Sequence, residues 1–116
     1  MMNMSHEVEK KDMLGVLPSR TYLFKQHPFF YVTVTDFGKG MGLLQIFSDW
    51  GVFGHYWNAM GENTTIEQFL ADSDDSYVKS KLLSWMNYTG VKKEGHEKLT
   101  KFMAQCWPRF KEHIRK

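Results

Sequence analysis

The sequence has few of the residues that build disulfide-linked or membrane-spanning proteins. It contains one cysteine, Cys106, among 116 residues, which excludes an internal disulfide and suits a reducing cytosol. No apolar run reaches the roughly 18 residues of a transmembrane helix. The polar N-terminus lacks the apolar core of a signal peptide. We therefore expect a protein of the cytoplasm.

Patterns typical of metal and phosphate sites are also missing. None of the five histidines lies four residues from another, and the metal sites that sequences reveal use paired His or Cys ligands. The glycines of residues 38–42 follow the pattern G-x-G-x-G and join two predicted strands. No helix N-terminus would follow to receive a phosphate group. We expect neither a metal nor a cofactor.

Apolar and aromatic residues are plentiful. Hydrophobic residues make up 42% and aromatic residues 16% of the chain, which is too apolar for a disordered protein. The length fits one domain with a sizeable core. We expect a flexible tail over residues 1–12, where nothing apolar anchors the chain, and a single domain over residues 13–116.

The first half of this domain has the alternation of β-strands. Residues 29–37 place Phe30, Val32 and Val34 on one face and half-polar side chains on the other. Further strands are predicted over 43–50 and 52–57. Their short links require an antiparallel meander of three strands. Residues 13–24, which contain Gly15 and Pro18, are predicted to form a packed loop or a short strand.

The second half has helical signals. Helices are predicted over about 65–71, 74–87, 92–106 and 108–115, packed on one face of the sheet in an α+β fold. The start of the first helix is favoured by two overlapping capping boxes, Thr64 with Glu67 and Thr65 with Gln68. In the second helix the apolar stripe consists of Val78, Leu82, Trp85 and Met86.

Three residues could carry catalysis, and each has a plainer interpretation. Asp49 and His55 flank Gly51, and the Asp49 carboxylate could orient the His55 ring as a general base. An aspartate next to a turn, however, usually accepts hydrogen bonds from the backbone amides of that turn. Cys106 could be a nucleophile, but it continues a buried helical stripe, where free cysteines are usually core residues. We expect no enzymatic activity.

Charge is unevenly distributed. Residues 62–76 contain five acidic and no basic side chains, whereas residues 77–116 contain ten basic and three acidic ones. Basic groups between aromatic residues could bind nucleic acid, and the candidates are Lys101, Arg109, Lys111, Arg115 and Lys116. The alternative is a solvated helix face whose neighbouring aromatic residues belong to the core.

The meander holds more aromatic residues than one face of a small sheet readily buries. Aromatic side chains left outside would suit a protein partner, and the predicted partner-binding residues are Trp50, Phe53, His55 and Trp57. The alternative is a sheet covered on both faces, by helices on one and by residues 13–24 on the other.

Three segments together resemble small accessory proteins encoded by bacteriophages and prophages. They are the aromatic segment 46–61, Phe69-Leu70 and residues 76–82, within a resemblance that extends over about 29–85. The resemblance implies the cytoplasm of an infected bacterium. It also implies action by binding and blocking a host component, including defence complexes such as CRISPR effectors. It assigns no functional residue.

These observations predict a non-enzymatic protein that binds and modulates or inhibits a host macromolecular complex, with an anti-CRISPR or other anti-defence role as one form. The alternative is a small nucleic-acid-binding accessory protein that uses the basic C-terminal tract.

Overall fold

The structure is a computed structural model that describes residues 15–88, 90 and 93–115. The predicted tail, residues 1–12, and Lys116 lie outside them. The described part of the chain forms one antiparallel sheet of four strands followed by four helices. The strands are β1 (Ser19–Phe24), β2 (Phe30–Gly38), β3 (Met41–Ser48) and β4 (Gly51–Trp57), and they lie side by side in chain order. The α+β class is confirmed.

The sequence predicts three strands, whereas the sheet has four. β1 pairs with β2 from Ser19 opposite Thr35 to Phe24 opposite Phe30, so part of residues 13–24 forms a sheet edge. The segment is short and follows Pro18, which hid its alternation from sequence reasoning. As a strand within the sheet, β1 cannot cover the other face of the sheet.

Two tight turns connect the strands of the meander, and a bulge between Asp36 and Gly38 shifts the register of β2 and β3 by one residue. Lys39 and Gly40 connect β2 to β3 with φ of 55° and 76°, the positive values of a type I′ hairpin turn. Asp49 and Trp50 connect β3 to β4, with Ser48 paired to Gly51. The Ser48 hydroxyl donates to the Gly51 carbonyl at 2.9 Å and accepts from the Trp50 amide at 3.2 Å.

The helices are α1 (Ile66–Asp72), α2 (Asp75–Tyr88), α3 (Lys93–Gln105) and α4 (Trp107–Arg115). Of the two predicted capping boxes, only the one formed by Thr65 and Gln68 is present. Glu67, the acid of the other box, instead binds side chains of β1. Pro108 lies in the first turn of α4, where its missing amide donor costs nothing.

The core lies between the helices and one face of the sheet. The sheet contributes Phe30, Val32, Val34, Leu44, Ile46, Phe53 and Trp57, and the helices contribute Ile66, Leu70, Val78, Leu82, Met86, Leu99, Phe102, Cys106, Trp107 and Phe110. The predicted apolar stripe of α2 is largely confirmed. Trp85 is the exception, because its side chain is 53% exposed.

Candidate functional site: the open face of the sheet

The strand register divides the sheet into two faces. Side chains alternate along each strand, so residues opposite a core residue share its face. Val32 lies opposite Tyr22 and Ile46, and Ile46 lies opposite Phe53. These residues belong to the covered face. The remaining positions form the open face: Ser19, Thr21, Leu23, Tyr31, Thr33, Thr35, Phe37, Met41, Leu43, Gln45, Phe47, Val52, Gly54 and Tyr56.

Apolar side chains occupy both ends of the open face. At one end the Tyr31 and Phe47 rings stack with centroids 5.3 Å apart, and Leu23 and Val52 flank them in the same row. At the other end the Phe37 and Tyr56 rings meet edge to face at 5.3 Å. Phe47 is 46% and Val52 69% exposed. The apolar surface is therefore presented to solvent.

Hydroxyl groups bridge β1 and β2 on the open face. The hydroxyl oxygens of Ser19 and Thr35 are 3.1 Å apart, and those of Thr21 and Thr33 are 2.8 Å apart. These hydroxyls satisfy one another within the sheet. This part of the open face is consequently polar, but its hydroxyl groups need no hydrogen-bond partner from another molecule.

No residue of the open face, every one of which the structure describes, carries a charged side chain. The outer face of a half-solvated sheet is usually polar. An uncharged, partly aromatic surface is instead typical of the central part of a protein interface, where charged residues are depleted. The open face can therefore lose its water to an apolar partner without burying a charge.

The predicted partner-binding residues lie on the other side of the sheet or in a turn. Phe53 and Trp57 are buried core residues. Trp50 packs against the core from the β3–β4 turn. His55 lies on the covered face beside Trp57, with ring centroids 4.6 Å apart. The exposed residues of the same strand are their neighbours Val52 and Tyr56.

His55 lies between β4 and α2. Burial lowers the pKa of His55, and the Lys81 ammonium lowers it further against the effect of a hydrogen bond with the Lys81 backbone. The ring is therefore neutral at pH 7. Its Nδ1 atom is buried without a hydrogen-bond partner in the described part of the chain.

The other candidate catalytic residues are not brought to His55. Asp49 is exposed in the β3–β4 turn, and no hydrogen bond or ion pair joins it to His55 among the described residues. Cys106 is fully buried, and burial raises the pKa of its thiol, with the Arg109 charge opposing. A protonated, inaccessible thiol is a poor nucleophile.

The basic tract divides into residues engaged within the fold and residues exposed to solvent. The Arg109 guanidinium donates to the Pro28 and Gln26 carbonyls at 2.8 and 3.2 Å and lies over the Phe30 ring. The Lys111 ammonium donates to the Ser73 carbonyl and to Asp75 at 2.6 and 2.9 Å. Lys101 and Arg115 are exposed. The aromatic residues between them, Phe102, Trp107 and Phe110, are buried.

A second polar cluster lies at the β1 edge of the covered face. The Arg20 guanidinium binds both carboxylate oxygens of Glu67 at 2.5 and 2.6 Å and also pairs with Asp36. The Tyr22 hydroxyl donates to Glu67 at 2.6 Å, and Asp36 accepts from the Ile66 amide. The cluster fastens α1 to β1 and β2, and its groups satisfy one another.

Protonation of this cluster follows from its contacts. Burial alone would raise the pKa of Glu67, but hydrogen bonds from Arg20 and Tyr22 outweigh it and lower the pKa. The hydrogen bond to Glu67 raises the pKa of Arg20 although burial opposes it. Burial has the largest effect on the pKa of Tyr22 and raises it, and the hydrogen bond to Glu67 raises it further. The ion pair is therefore fully charged at neutral pH.

Among the described residues, no three His, Cys, Asp or Glu side chains converge in a group that could hold a metal ion. No described helix is both long and apolar enough to span a membrane.

Comparison with known proteins gives a family. A family model described as a phage family matches residues 18–113. The chain belongs to this phage family. The matched segment includes the whole sheet and nearly all of α4, and it agrees with the resemblance to phage proteins in the sequence. No curated protein and no solved structure matches the chain.

The predicted partner-binding residues do not include the exposed residues of the open face, although the sequence contains part of the signal for them. A two-residue turn at Asp49 and Trp50 forces Ser48 to pair with Gly51. Counting back from that pair places Val52 opposite Phe47. The pairing of Phe47 with Tyr31 also depends on the bulge between Asp36 and Gly38, which the sequence does not reveal. Tyr31 belongs to the half-polar side of β2, so this register assigns Phe47, Val52 and Tyr56 to the open face.

Proposed function

We propose that this phage-family protein acts by binding a protein partner through the open face, without catalysing a reaction. The observation that carries the proposal is the uncharged character of the open face, with apolar side chains exposed at both of its ends. Exposed apolar patches of this kind on a sheet mark interaction sites, since they are otherwise a liability to solubility.

The open face by itself supplies only a small interface. Four strands about 4.8 Å apart, each contributing about six residues of 3.3 Å, span roughly 20 by 20 Å. A partner covering only this area of about 400 Å² would bury roughly 800 Å² in total, which is below the lower limit of about 1,200 Å² for specific protein complexes. The partner would therefore add contacts beyond the strands, for which the exposed Phe29 beside Tyr31 is well placed.

The proposed setting is the cytoplasm of an infected bacterium, and the proposed partner is a component of a host complex. Inhibition of a defence complex, including a CRISPR effector, is one form of this activity. The family supports the phage setting. The host component would be recognised by a complementary apolar surface, because the open face offers no charge for steering.

Nucleic-acid binding by the C-terminal tract has less support. Stacking requires exposed aromatic rings next to cations. Here the aromatic residues of the tract are buried and two of its cations are engaged within the fold. Outside this tract, exposed aromatic rings lie on the open face, which carries no cation. Others lie on α2, where Lys81 lies over the Tyr77 ring.

The test uses two variants that add the same charge on opposite sides of the molecule. Phe47→Asp places a carboxylate in the open face, and Ala104→Asp places one on the exposed side of α3. Each tagged protein captures partners from a bacterial host lysate, and mass spectrometry quantifies them. We expect Phe47→Asp to reduce recovery of a specific partner at least about tenfold, since burying an unpaired charge costs more than 1.4 kcal/mol.

Ala104→Asp should recover the partner as the original protein does, and thermal melts should confirm that both variants fold. Equal recovery by Phe47→Asp and the original protein would overturn the proposal. Nuclease-sensitive recovery that falls steeply with salt would instead favour nucleic acid.

A further inference from the structure

The outer edge of β4 presents free backbone groups. The Asp36 amide donates to the Pro18 carbonyl at 3.0 Å, which fixes the hydrogen-bonded pairs of the first ladder. Bonded and non-bonded pairs alternate in antiparallel sheets. The same alternation continues through the residue pairs of β2 with β3 and of β3 with β4. It shows that the backbone groups of Phe53 and His55 point towards β3. The amides and carbonyls of Val52, Gly54 and Tyr56 therefore point away from the sheet.

These outward groups have no hydrogen-bond partner in the described part of the chain. Proteins usually protect a sheet edge with a charged side chain, a proline or a bulge. β4 reads Gly-Val-Phe-Gly-His-Tyr-Trp. It contains none of these features, because His55 is neutral and its ladder with β3 is regular. The edge is therefore able to accept another strand.

A pocket of about 280 Å³ lies against this edge. Gly54 of β4 and the exposed Trp85 of α2 are among the residues that line it. Phe53 and His55 also line it, and none of its lining residues carries a charge at pH 7. The pocket is large enough for one big uncharged side chain.

We propose that the β4 edge binds an extended segment of a protein partner as a fifth strand, with one large uncharged side chain of that segment in the pocket beside Trp85. Main-chain bonds to Val52, Gly54 and Tyr56 supply affinity, and the pocket supplies selectivity, as in other complexes formed by strand addition. The inference deepens the proposed function, on which it rests, because it states the form of the partner.

The position of α2 favours a single extended segment over a second copy of this chain. The Trp57 indole donates to the Tyr77 hydroxyl at 3.0 Å, and Lys81 contacts His55, so α2 lies on the covered face beside β4. Pairing two β4 edges would bring two such helices towards the 4.8 Å spacing of strands, whereas packed helices need about 8 to 10 Å. An isolated strand avoids this clash.

The experiment selects peptides from a displayed library of random heptapeptides against the full chain. Val52→Pro deletes one outward amide without breaking the ladder to β3, because proline is tolerated on the solvent side of an edge strand. Val52→Thr keeps the amide and serves as the matched control. Trp85→Ala opens the pocket wall and gives a second variant that does not alter the backbone.

We expect selected peptides to carry one large apolar residue. Their affinity should fall at least about tenfold with Val52→Pro and with Trp85→Ala, and change less than about threefold with Val52→Thr. The peptides should also slow hydrogen exchange at the amides of Val52, Gly54 and Tyr56. The amides of Phe53 and His55, already bonded to β3, should change little.

Several outcomes would overturn the inference. They are the absence of enriched peptides, peptides that bind Val52→Pro equally well, and binding without protection of the three amides. Dimerisation of the chain alone that Val52→Pro abolishes would also overturn it, since the edge would then hold a second copy. Loss of partner capture by Phe47→Asp together with any of these results would leave the proposed function standing while removing the strand site.

Discussion

The two faces of one sheet differ although the same four strands build them. The covered face holds large aliphatic and aromatic side chains under the helices, with an ion-pair cluster at its β1 edge. The open face holds aromatic residues at its ends, hydroxyls at its centre and no charge. The fold needs the first set for its core, whereas the second set is the surface that the proposed binding would use.

Neighbouring residues of β3 give the strongest test of this difference. Ile46 is 1% exposed on the covered face, whereas Phe47 is 46% exposed on the open face. We expect Ile46→Ala to lower the free energy of unfolding by about 3 to 4 kcal/mol, because it leaves a cavity in the core. Phe47→Ala, although it removes a larger side chain, should cost about 1 kcal/mol or less. Urea denaturation measures both values.

Equal losses for the two variants would contradict the division into faces, because they would show that Phe47 is buried in solution. Similar denaturant slopes for the two variants and the original protein are the control. They would show that both substitutions act on stability rather than on the extent of unfolding.

The ion-pair cluster gives an intermediate effect that depends on pH. Glu67→Gln removes the charged partner of Arg20, and because the Arg20 side chain is 37% exposed, water compensates part of the loss. We expect a cost of about 1 to 2 kcal/mol at pH 7. The pKa of Glu67 is lowered from 4.5 in the folded state, so its contribution is complete above the unfolded pKa and disappears as pH falls through the folded one.

The difference in unfolding free energy between the original protein and Glu67→Gln should therefore be constant from pH 7 to about pH 5 and shrink towards zero in stronger acid. Denaturant titrations at successive pH values measure it. Glu62→Gln, at an exposed position before α1, should cost less than about 0.5 kcal/mol throughout. A Glu67→Gln difference that grows in acid would show that the carboxylate is not held charged by Arg20.

Much of the covered face could be predicted from the sequence, because its strands and helices have simple apolar periods. Phe30, Val32 and Val34 alternate with polar residues, and the buried stripe of Leu99, Phe102 and Cys106 has helical spacing. In β4 the period fails as a guide, since both alternate sets contain aromatic residues. The pairing of Ser48 with Gly51 links Phe53 to Ile46, and the pairing of Ile46 with Val32 then shows that this set is buried.

Contacts between distant segments were beyond sequence reasoning. Glu67 has the spacing of a capping box with Thr64, yet it binds Arg20, which lies 47 residues away. Local pattern cannot weigh a capping bond against a bidentate ion pair formed only when α1 packs on β1. Arg109 likewise looked like a surface cation, whereas its bonds to carbonyls near Pro28 appear only in the fold.

The turn that joins β2 to β3 belongs to neither face, and it gives the smallest expected effect. Lys39 has φ of 55°, a left-handed conformation that disfavours most side chains and that asparagine tolerates. Lys39→Asn creates the Asn-Gly pair typical of type I′ turns and should raise the unfolding free energy by about 0.5 kcal/mol. Lys39→Val should lower it by about 1 kcal/mol, because a β-branched side chain fits this conformation poorly. Thermal and urea denaturation measure both, and equal stabilities would contradict the left-handed conformation of Lys39.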